Sequence, residues 1–255
     1  MSETEARGTL PETDARVAEL AERLAEARGE LDALTYAISH DLRAPLRTVY
    51  GFVQLLERKY RERLEGQAIE YLERIGSGIQ RMEKLIADLL ELSRTGTREM
   101  QRERVDLSAL AHALLEDLRK SEPGRVVEVS VEPGLVVSGD PVLLRALLHH
   151  LLGNAWKFTG GKPSAHITFG TRTTGEQRQF CVIDNGAGFT PGQAHRLFNP
   201  FQRLHLESEF PGTGIGLAVV KKIVVRHGGT VTGEGEEGKG AAFCFTLAPE
   251  LDQPV

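Results

Sequence analysis

The sequence contains no long apolar run, and no stretch approaches the roughly 18 residues that a helix needs to cross a bilayer. Its first ten residues, MSETEARGTL, also lack the apolar region of a signal peptide. Both absences predict a soluble, cytoplasmic protein that does not enter a membrane.

Basic charge and cysteine are also scarce. The formal net charge of −5 argues against nucleic acid or an anionic membrane as the partner. The two cysteines, Cys181 and Cys244, lie far apart and have no metal-ligand spacing around them, so they are expected to be reduced thiols in the core. Apolar residues at 40% of a 255-residue chain suffice for one large domain or two ordinary ones.

Residues 10 to 95 have the composition of long helices, rich in Glu, Arg, Leu and Ala. Thr9 and Glu12 have the spacing of a capping box at the helix start. Apolar residues then recur every seven positions, with a companion series three residues later: Val17, Leu24, Leu31 and Ile38, and Leu20, Ala27 and Leu34. This pattern predicts a parallel coiled coil of about four heptads.

The apolar pattern continues to Tyr60, breaks in the charged segment 61–67, and resumes from Ile69 to Leu92 at spacings of three and four. Two long helices joined by a short turn form a hairpin that cannot bury its apolar stripe alone. Pairing of two hairpins gives a four-helix bundle, so burial predicts a homodimer.

After a polar linker, the pattern changes to short strands between amphipathic helices. Helices are predicted near 107–120, 141–158 and 215–227, and Asp140 and Pro141 have the residue types of an N-cap and first helical position. Strands are predicted near 126–132, 135–138, 166–173, 179–183, 229–233 and 241–247. This half is expected to be an α+β sandwich with one mixed sheet and its helices on one face.

The first candidate for chemistry is the segment Ser39-His40-Asp41-Leu42-Arg43-Ala44-Pro45. His40 falls on the outward face of the predicted coil, where a lone histidine is usually just solvated surface. Asp41 beside it can hold the proton of an imidazole that must be neutral to attack phosphorus. Pro45 in a helix interior costs about 3 kcal/mol and predicts a bend just after His40.

Three further elements favour a nucleotide site, although each has an ordinary structural alternative. Asn154 and Lys157 share a helical face and offer an amide for Mg²⁺ and a cation for phosphate. Asp184 ends a strand, and its carboxylate can accept from an adenine amine while the following glycines admit a flat ligand; an Asx turn is the alternative. A third segment, GTGIGL at 212–217, opens a helix and can bind an anion. Residues 199–211 before it have the composition of a mobile lid.

The ordered motifs SHDLRAP, NAWKFT, DNGAGF, FNPFQRLH and GTGIGLA resemble the H, N, G1, F and G2 boxes of the sensor histidine kinases of two-component systems, and most of all the phytochrome-like and PAS-linked soluble subgroup. The resemblance covers roughly residues 30 to 248. It implies a Bergerat, or GHKL-type, ATPase fold and the cofactors ATP and Mg²⁺.

The resemblance also implies a role for each matching residue. His40 would be the phospho-acceptor and Asp41 its acidic assistant, both catalytic. Asn154 would bind Mg²⁺. The remaining nucleotide-binding residues would be Lys157, Asp184, Gly186, Gly188, Phe201, Arg203, Gly212, Gly214 and Gly216. The implied partners are a second copy of the chain, a response-regulator receiver domain whose aspartate takes the phosphoryl group, and an upstream sensor domain or sensory partner.

Two residues depart from the family pattern. His150 stands where a second asparagine is frequent, which puts the Mg²⁺ and phosphate contacts in doubt. Ala44 stands where kinases that also act as phosphatases carry Thr or Asn, so weak phosphatase activity is expected. A dimeric ATP-binding scaffold without phosphotransfer is the main alternative function, and His150 is the feature that favours it.

The expected organisation has five parts. A signalling coiled-coil helix occupies residues 1–35, and the dimerisation and phosphotransfer hairpin occupies 36–97. A linker at 98–104 leads to the catalytic ATP-binding domain at 105–249, and 250–255 form a tail.

Overall fold

A computed structural model describes residues 10–175, 177–206 and 209–248. Contacts divide the chain into two compact units, with the boundary between Thr97 and Arg98.

The first unit is a helical hairpin. Helix α1 spans Leu10–Tyr60, a short 3₁₀ turn spans Arg61–Arg63, and helix α2 spans Gly66–Thr97. Residues that face each other across the hairpin are buried: Val53, Ile79, Ile86 and Leu90. The predicted capping box begins at Thr9, which lies outside the described residues. Pro45 lies inside α1.

The predicted coiled-coil seam is on the surface of the single chain. Val17, Leu24 and Leu31 are 61%, 53% and 65% exposed, and Leu20, Leu34 and Ile38 are similarly open. Such a continuous apolar stripe along one helix carries a large hydration cost unless another apolar surface covers it.

The second unit contains seven strands and three helices among the described residues. The strands are β1 (Glu103–Asp106), β2 (Val127–Val131), β3 (Val136–Gly139), β4 (Ala165–Thr174), β5 (Gln177–Asp184), β6 (Val231–Glu236) and β7 (Gly240–Phe245). The helices are α3 (Leu107–Ser121), α4 (Pro141–Phe158) and α5 (Gly216–Arg226), with a 3₁₀ turn at Pro191–Arg196.

The strands form two sheets, whereas one was expected. The main sheet has the order β2-β4-β5-β7-β6, and it is mixed because β2 pairs with β4 in parallel while its other pairs are antiparallel. Strand β3 pairs instead with β1, which begins inside the segment expected to be linker. The sequence ERVD of β1 is too short and too charged to indicate a strand, and pairing with β3 is what fixes it.

Helix α4 is the centre of the core. Leu144, Leu147, Leu148, Leu151 and Leu152 are completely buried, and α4 packs against both α3 and α5. The Asp140 carboxylate caps its first turn by accepting from the N–H groups of Val142 and Leu143, as predicted. The buried helix thereby holds its polar C-terminal end, with Asn154 and Lys157, in a fixed place beside the sheet.

The expectation of two reduced thiols is wrong for this structure, because Cys181 and Cys244 form a disulfide. They are directly opposite each other in the antiparallel pair of β5 and β7, and their Cα atoms are 4.1 Å apart. Strand register brings the two residues together across a sequence separation of 63, which linear spacing does not reveal.

Within the part of the chain that the structure describes, no helix combines the length and the apolarity needed to span a membrane.

Candidate functional site

His40 lies on the open surface of α1. Its side chain is 73% exposed, and its Nδ1 atom lies 3.3 Å from Oδ1 of Asp41. The preceding residue, Ser39, is buried, so the chain turns His40 outward while its neighbour packs inward. An imidazole in this position presents Nε2 to an incoming group.

Asp184 ends strand β5 and is only 7% exposed. Burial raises the pKa of its carboxyl to about 6, although the backbone N–H groups of Gly186 and Ala241 stabilise the charged form and oppose the rise. The Gly186 N–H donates to Oδ1 of Asp184 at 2.8 Å. A buried acceptor at a strand end is suited to a ligand that brings its own donor, such as an exocyclic amine.

The glycines after Asp184 are required by close backbone contacts. A Cβ on Gly186 would lie 2.5 Å from the carbonyl oxygen of Phe158, at the end of α4. Gly188 has a φ of 64°, and a Cβ there would lie 1.9 Å from the carbonyl oxygen of Glu236. Both positions therefore exclude other residues, and this turn is held tightly between α4 and β6.

One face of α4 meets the glycine-rich turn at 212–216. A Cβ on Gly212 would lie 3.2 Å from Nζ of Lys157, and a Cβ on Gly216 would lie 2.8 Å from Nδ1 of His150. Asn154 lies between these two residues on the same helical face, at spacings of four and three. The structure thus brings His150 and Lys157 against the turn that opens α5, where backbone N–H groups favour an anion, and Asn154 lies between them on the helix.

The segment between the 3₁₀ turn at Pro191–Arg196 and α5 is folded onto the site. Phe201 is 56% exposed and has a φ of 63°, and its N–H donates to the carbonyl oxygen of Gly214 at 3.0 Å. The Arg203 guanidinium donates to the carbonyl oxygen of Phe210 at 2.8 Å. Arg203 therefore binds the backbone of its own loop in this structure.

Sequence reasoning missed an aromatic cluster that joins this loop to α4. The rings of Phe158, His205 and Phe210 lie 4.9 to 5.3 Å apart between centroids. Nε2 of His205 lies 2.8 Å from the carbonyl oxygen of Gly188, within hydrogen-bonding distance. The signal for this cluster was the histidine of the motif FQRLH, because the sequence analysis gave that residue no other role.

Sequence reasoning also missed the second role of Asp140. Besides capping α4, its Oδ2 accepts from the N–H of Gln101 at 3.1 Å and lies 3.7 Å from Nε of Arg98. Burial opposes its ionisation, but the N–H groups of Leu143, Gln101 and Val142 and the charge of Arg98 outweigh it and lower the pKa of Asp140. The residues that follow Thr97 are thereby held on the second unit.

The donor set fits a nucleotide-bound Mg²⁺ ion. Among the described residues, no cluster of three or more His, Cys, Asp or Glu side chains could hold a metal by itself. Mg²⁺ bound with phosphates needs only one or two protein oxygens, because phosphate and water supply the others. Asn154, next to Lys157 and the glycine-rich turn, can supply such an oxygen.

The fold and the site together define the class of protein: a helical hairpin with an exposed histidine, followed along the chain by an α/β unit with a candidate nucleotide site. Residues 30–98 match the family model described as "His Kinase A (phospho-acceptor) domain". Residues 139–251 match the one described as "Histidine kinase-, DNA gyrase B-, and HSP90-like ATPase".

Two relatives match nearly the whole of this chain. The phytochrome-like protein Cph1 of Synechocystis is 34% identical over 91% of this chain and 31% of its own length. The methanogenesis regulatory histidine kinase FilI of Methanothrix harundinacea is 36% identical over 90% of this chain and 26% of its own length. The chain thus spans about a third or less of these two relatives.

One solved structure has a similar fold. Full-length ShkA in complex with AMPPNP is 28% identical, with a TM-score of 0.60, and the match covers 84% of this chain and 46% of that one. The chain belongs to the sensor histidine kinases. The expected fold class is confirmed: a helical phospho-acceptor region followed by a mixed-sheet GHKL ATPase domain.

Proposed function

We propose that this chain is the ATP-dependent kinase core that phosphorylates its own His40 and passes the phosphoryl group to an aspartate of a receiver domain. The observation that carries the proposal is the exposure of His40 beside Asp41, 3.3 Å away, in a chain that also holds an ATPase domain. A surface imidazole is accessible to a γ-phosphate presented by a separate domain.

The transfer step uses the two nitrogens of His40 differently. Asp41 accepts the Nδ1 proton in a hydrogen bond, so Nε2 is the unprotonated nucleophile. A bond forms between Nε2 and the γ-phosphorus, and the bond to the bridging oxygen breaks with its electron pair leaving on ADP. The product imidazole carries a proton on Nδ1 and a partial positive charge, which the carboxylate of Asp41 stabilises.

The second unit supplies the nucleotide. Asp184 would accept from the adenine amine, Lys157 and the turn from Gly212 to Gly216 would bind the phosphates, and Asn154 would hold Mg²⁺. Bound Mg²⁺ would neutralise charge on the phosphates during transfer. Phe201 and Arg203 lie on the loop that contacts this site, and Arg203 is proposed to exchange its loop carbonyl for the γ-phosphate.

A second copy of the chain is the proposed partner at the coiled-coil seam. The exposed apolar residues of that seam have heptad spacing, which is satisfied by an identical helix in parallel. Dimerisation would pair two hairpins in a four-helix bundle. Input from a sensor domain or sensory partner would then reach His40 along α1.

Phosphatase activity toward the receiver is proposed to be weak. Ala44 lies one helical turn after His40 and has no side-chain oxygen to orient a hydrolytic water. The test follows loss of phosphate from a purified phosphorylated receiver with ADP present. Rapid loss that disappears when Ala44 is changed would contradict the proposal.

The decisive experiment incubates the chain with γ-labelled ATP and Mg²⁺ and compares it with His40→Gln. Acid-labile, base-stable label in the unchanged protein, absent from the variant, supports the kinase. Label retained by His40→Gln would show that another residue accepts phosphate. Retained ATP binding without label would support the alternative, a dimeric ATP-binding scaffold that acts through protein interactions.

A further inference from the structure

His150 occupies a central place in the site. It lies on the α4 face that carries Asn154 and Lys157, one helical turn before Asn154. Its ring packs on the Cα of Gly216, since a Cβ there would lie 2.8, 3.4 and 3.6 Å from Nδ1, Cγ and Cε1. The imidazole therefore stands at the first residue of α5, where the proposed function, on which this inference rests, places the phosphates.

The neighbouring histidine provides a contrast. His149 is exposed, and its ring touches His150 edge to face, with centroids 5.7 Å apart. Both side chains are imidazoles at adjacent positions of α4. Of the two, it is the His150 ring that lies against the glycine-rich turn. A substitution of His149 therefore shows the general effect of replacing a histidine in α4, and a substitution of His150 also shows any effect at the site.

An imidazole and an amide offer different atoms to a divalent cation. The amide oxygen of Asn154 is a hard ligand of the kind that Mg²⁺ prefers. An imidazole nitrogen is a poor ligand for Mg²⁺ but a good one for borderline metals, and its affinity rises from Mn²⁺ to Co²⁺. An oxygen and a nitrogen one turn apart on the same face therefore form a mixed donor pair.

We propose that His150 is a metal-specificity residue, which supplies a nitrogen ligand to the nucleotide-bound cation and shifts the preference of this site from Mg²⁺ toward Mn²⁺ and Co²⁺. The pairing of His150 with Asn154 beside Gly216 is the structural basis. Relative to Mg²⁺, borderline divalent metals would then support tighter nucleotide binding in the unchanged protein than in a variant with asparagine at position 150.

The first test measures binding of ADP to the full chain by calorimetry, with Mg²⁺, Mn²⁺ or Co²⁺ present. The ratio of the Mg²⁺ dissociation constant to the Co²⁺ constant should fall about tenfold in His150→Asn, the effect of one lost metal–ligand bond. The same ratio should be unchanged in the control His149→Asn. An equal ratio in the unchanged protein and His150→Asn would overturn the proposal.

A spectroscopic test observes the ligand directly. Pulsed electron paramagnetic resonance of Mn²⁺·ADP bound to the chain should show modulation from a bound ¹⁴N nucleus, which His150→Asn loses and His149→Asn retains. Bound Mn²⁺ without nitrogen modulation would exclude coordination by His150. Failure of every variant to bind ADP with any of the metals would instead overturn the proposed nucleotide site itself, and this inference with it.

Discussion

The backbone N–H of Asp140 donates to Nε2 of His227 at 3.1 Å, and this bond joins the start of α4 to the end of α5. Since Nε2 accepts, Nδ1 carries the proton and donates to the carbonyl oxygen of Ile223 at 2.9 Å. Both residues are completely buried, and burial lowers the pKa of His227, so its ring is held neutral. The two helices that border the nucleotide site are thus fixed to each other at their far ends.

Replacing Asp140 by Ala should destabilise the second unit by about 2–4 kcal/mol, because α4 loses its cap and the part-buried hydrogen bond from the N–H of Gln101 is lost. Asp140→Ser keeps a capping oxygen and should lose about half as much. Urea unfolding followed by fluorescence of Trp156, the only tryptophan, reports on α4 directly. Equal losses in the two variants would mean that the capping oxygen contributes nothing, and no loss in Asp140→Ser would mean that the contact with Gln101 contributes nothing.

Binding of ADP should weaken below pH 6, because a protonated Asp184 must release its proton to accept from the adenine amine. Below pH 6, the apparent dissociation constant of ADP should increase by up to tenfold for each unit that the pH falls. Above pH 6, the contribution of Asp184 to this constant should not change with pH. Without nucleotide, the folding stability depends on pH in the opposite direction. The raised pKa of Asp184 makes the folded state hold its proton more tightly, so stability falls as pH rises from about 4 to 6.

Asp184→Asn is the control for both slopes, since its remaining pH dependence comes from other groups and from the ADP phosphates. Titrations of ADP binding and of urea unfolding from pH 4 to 8 measure both slopes. Identical slopes in the variant and the unchanged protein would exclude Asp184 as the titrating group.

Reduction of the disulfide should lower the free energy of unfolding of the second unit by up to about 4 kcal/mol, the chain-entropy estimate for a loop of 63 residues. Both cysteines are nearly inaccessible, at 1% and 5% exposure, so reduction should need local opening of β7. The comparison is urea unfolding with and without a phosphine reductant. A Cys181→Ala, Cys244→Ala double variant should not respond to the reductant, whereas an unchanged midpoint in fully reduced wild type would contradict the prediction.

Gly214→Ala should weaken nucleotide binding at least tenfold and also lower the free energy of unfolding by about 1–2 kcal/mol. Gly214 has a φ of 75°, and a Cβ there would lie 2.9 Å from the carbonyl oxygen of Gln202, so the loop with Phe201 must move. Gly192→Ala is the matched control, because a Cβ at Gly192 meets open space. Calorimetry with ADP distinguishes the two, and similar affinities would show that the turn tolerates a side chain.

Leu24→Glu should shift the chain from dimer to monomer, because a charge at a heptad core position would be buried against its own copy. Light scattering after size exclusion gives the mass. Glu22→Gln, on an exposed part of α1, serves as the control. A dimer that survives Leu24→Glu with unchanged affinity would place the interface outside the coiled-coil seam.

Several elements of the fold followed from local sequence signals. The helix from Pro141 to Phe158 was predicted with both boundaries because Asp140 and Pro141 form a cap signal and Phe158 ends the apolar periodicity. The hairpin of α1 and α2 followed from long apolar periodicity interrupted by a charged turn. These signals act between residues near each other in the chain, so the sequence alone carries them.

The tertiary structure decided what depends on register and close packing. Only the pairing of β5 with β7 places Cys181 opposite Cys244, and only the pairing with β3 makes a strand of Glu103–Asp106. The contact of His150 with Gly216 joins residues 66 positions apart in sequence, and it depends on how α4 packs against α5. Sequence by itself determined the residue types and their local order, whereas the chemistry of the site depends on distances that only the folded chain sets.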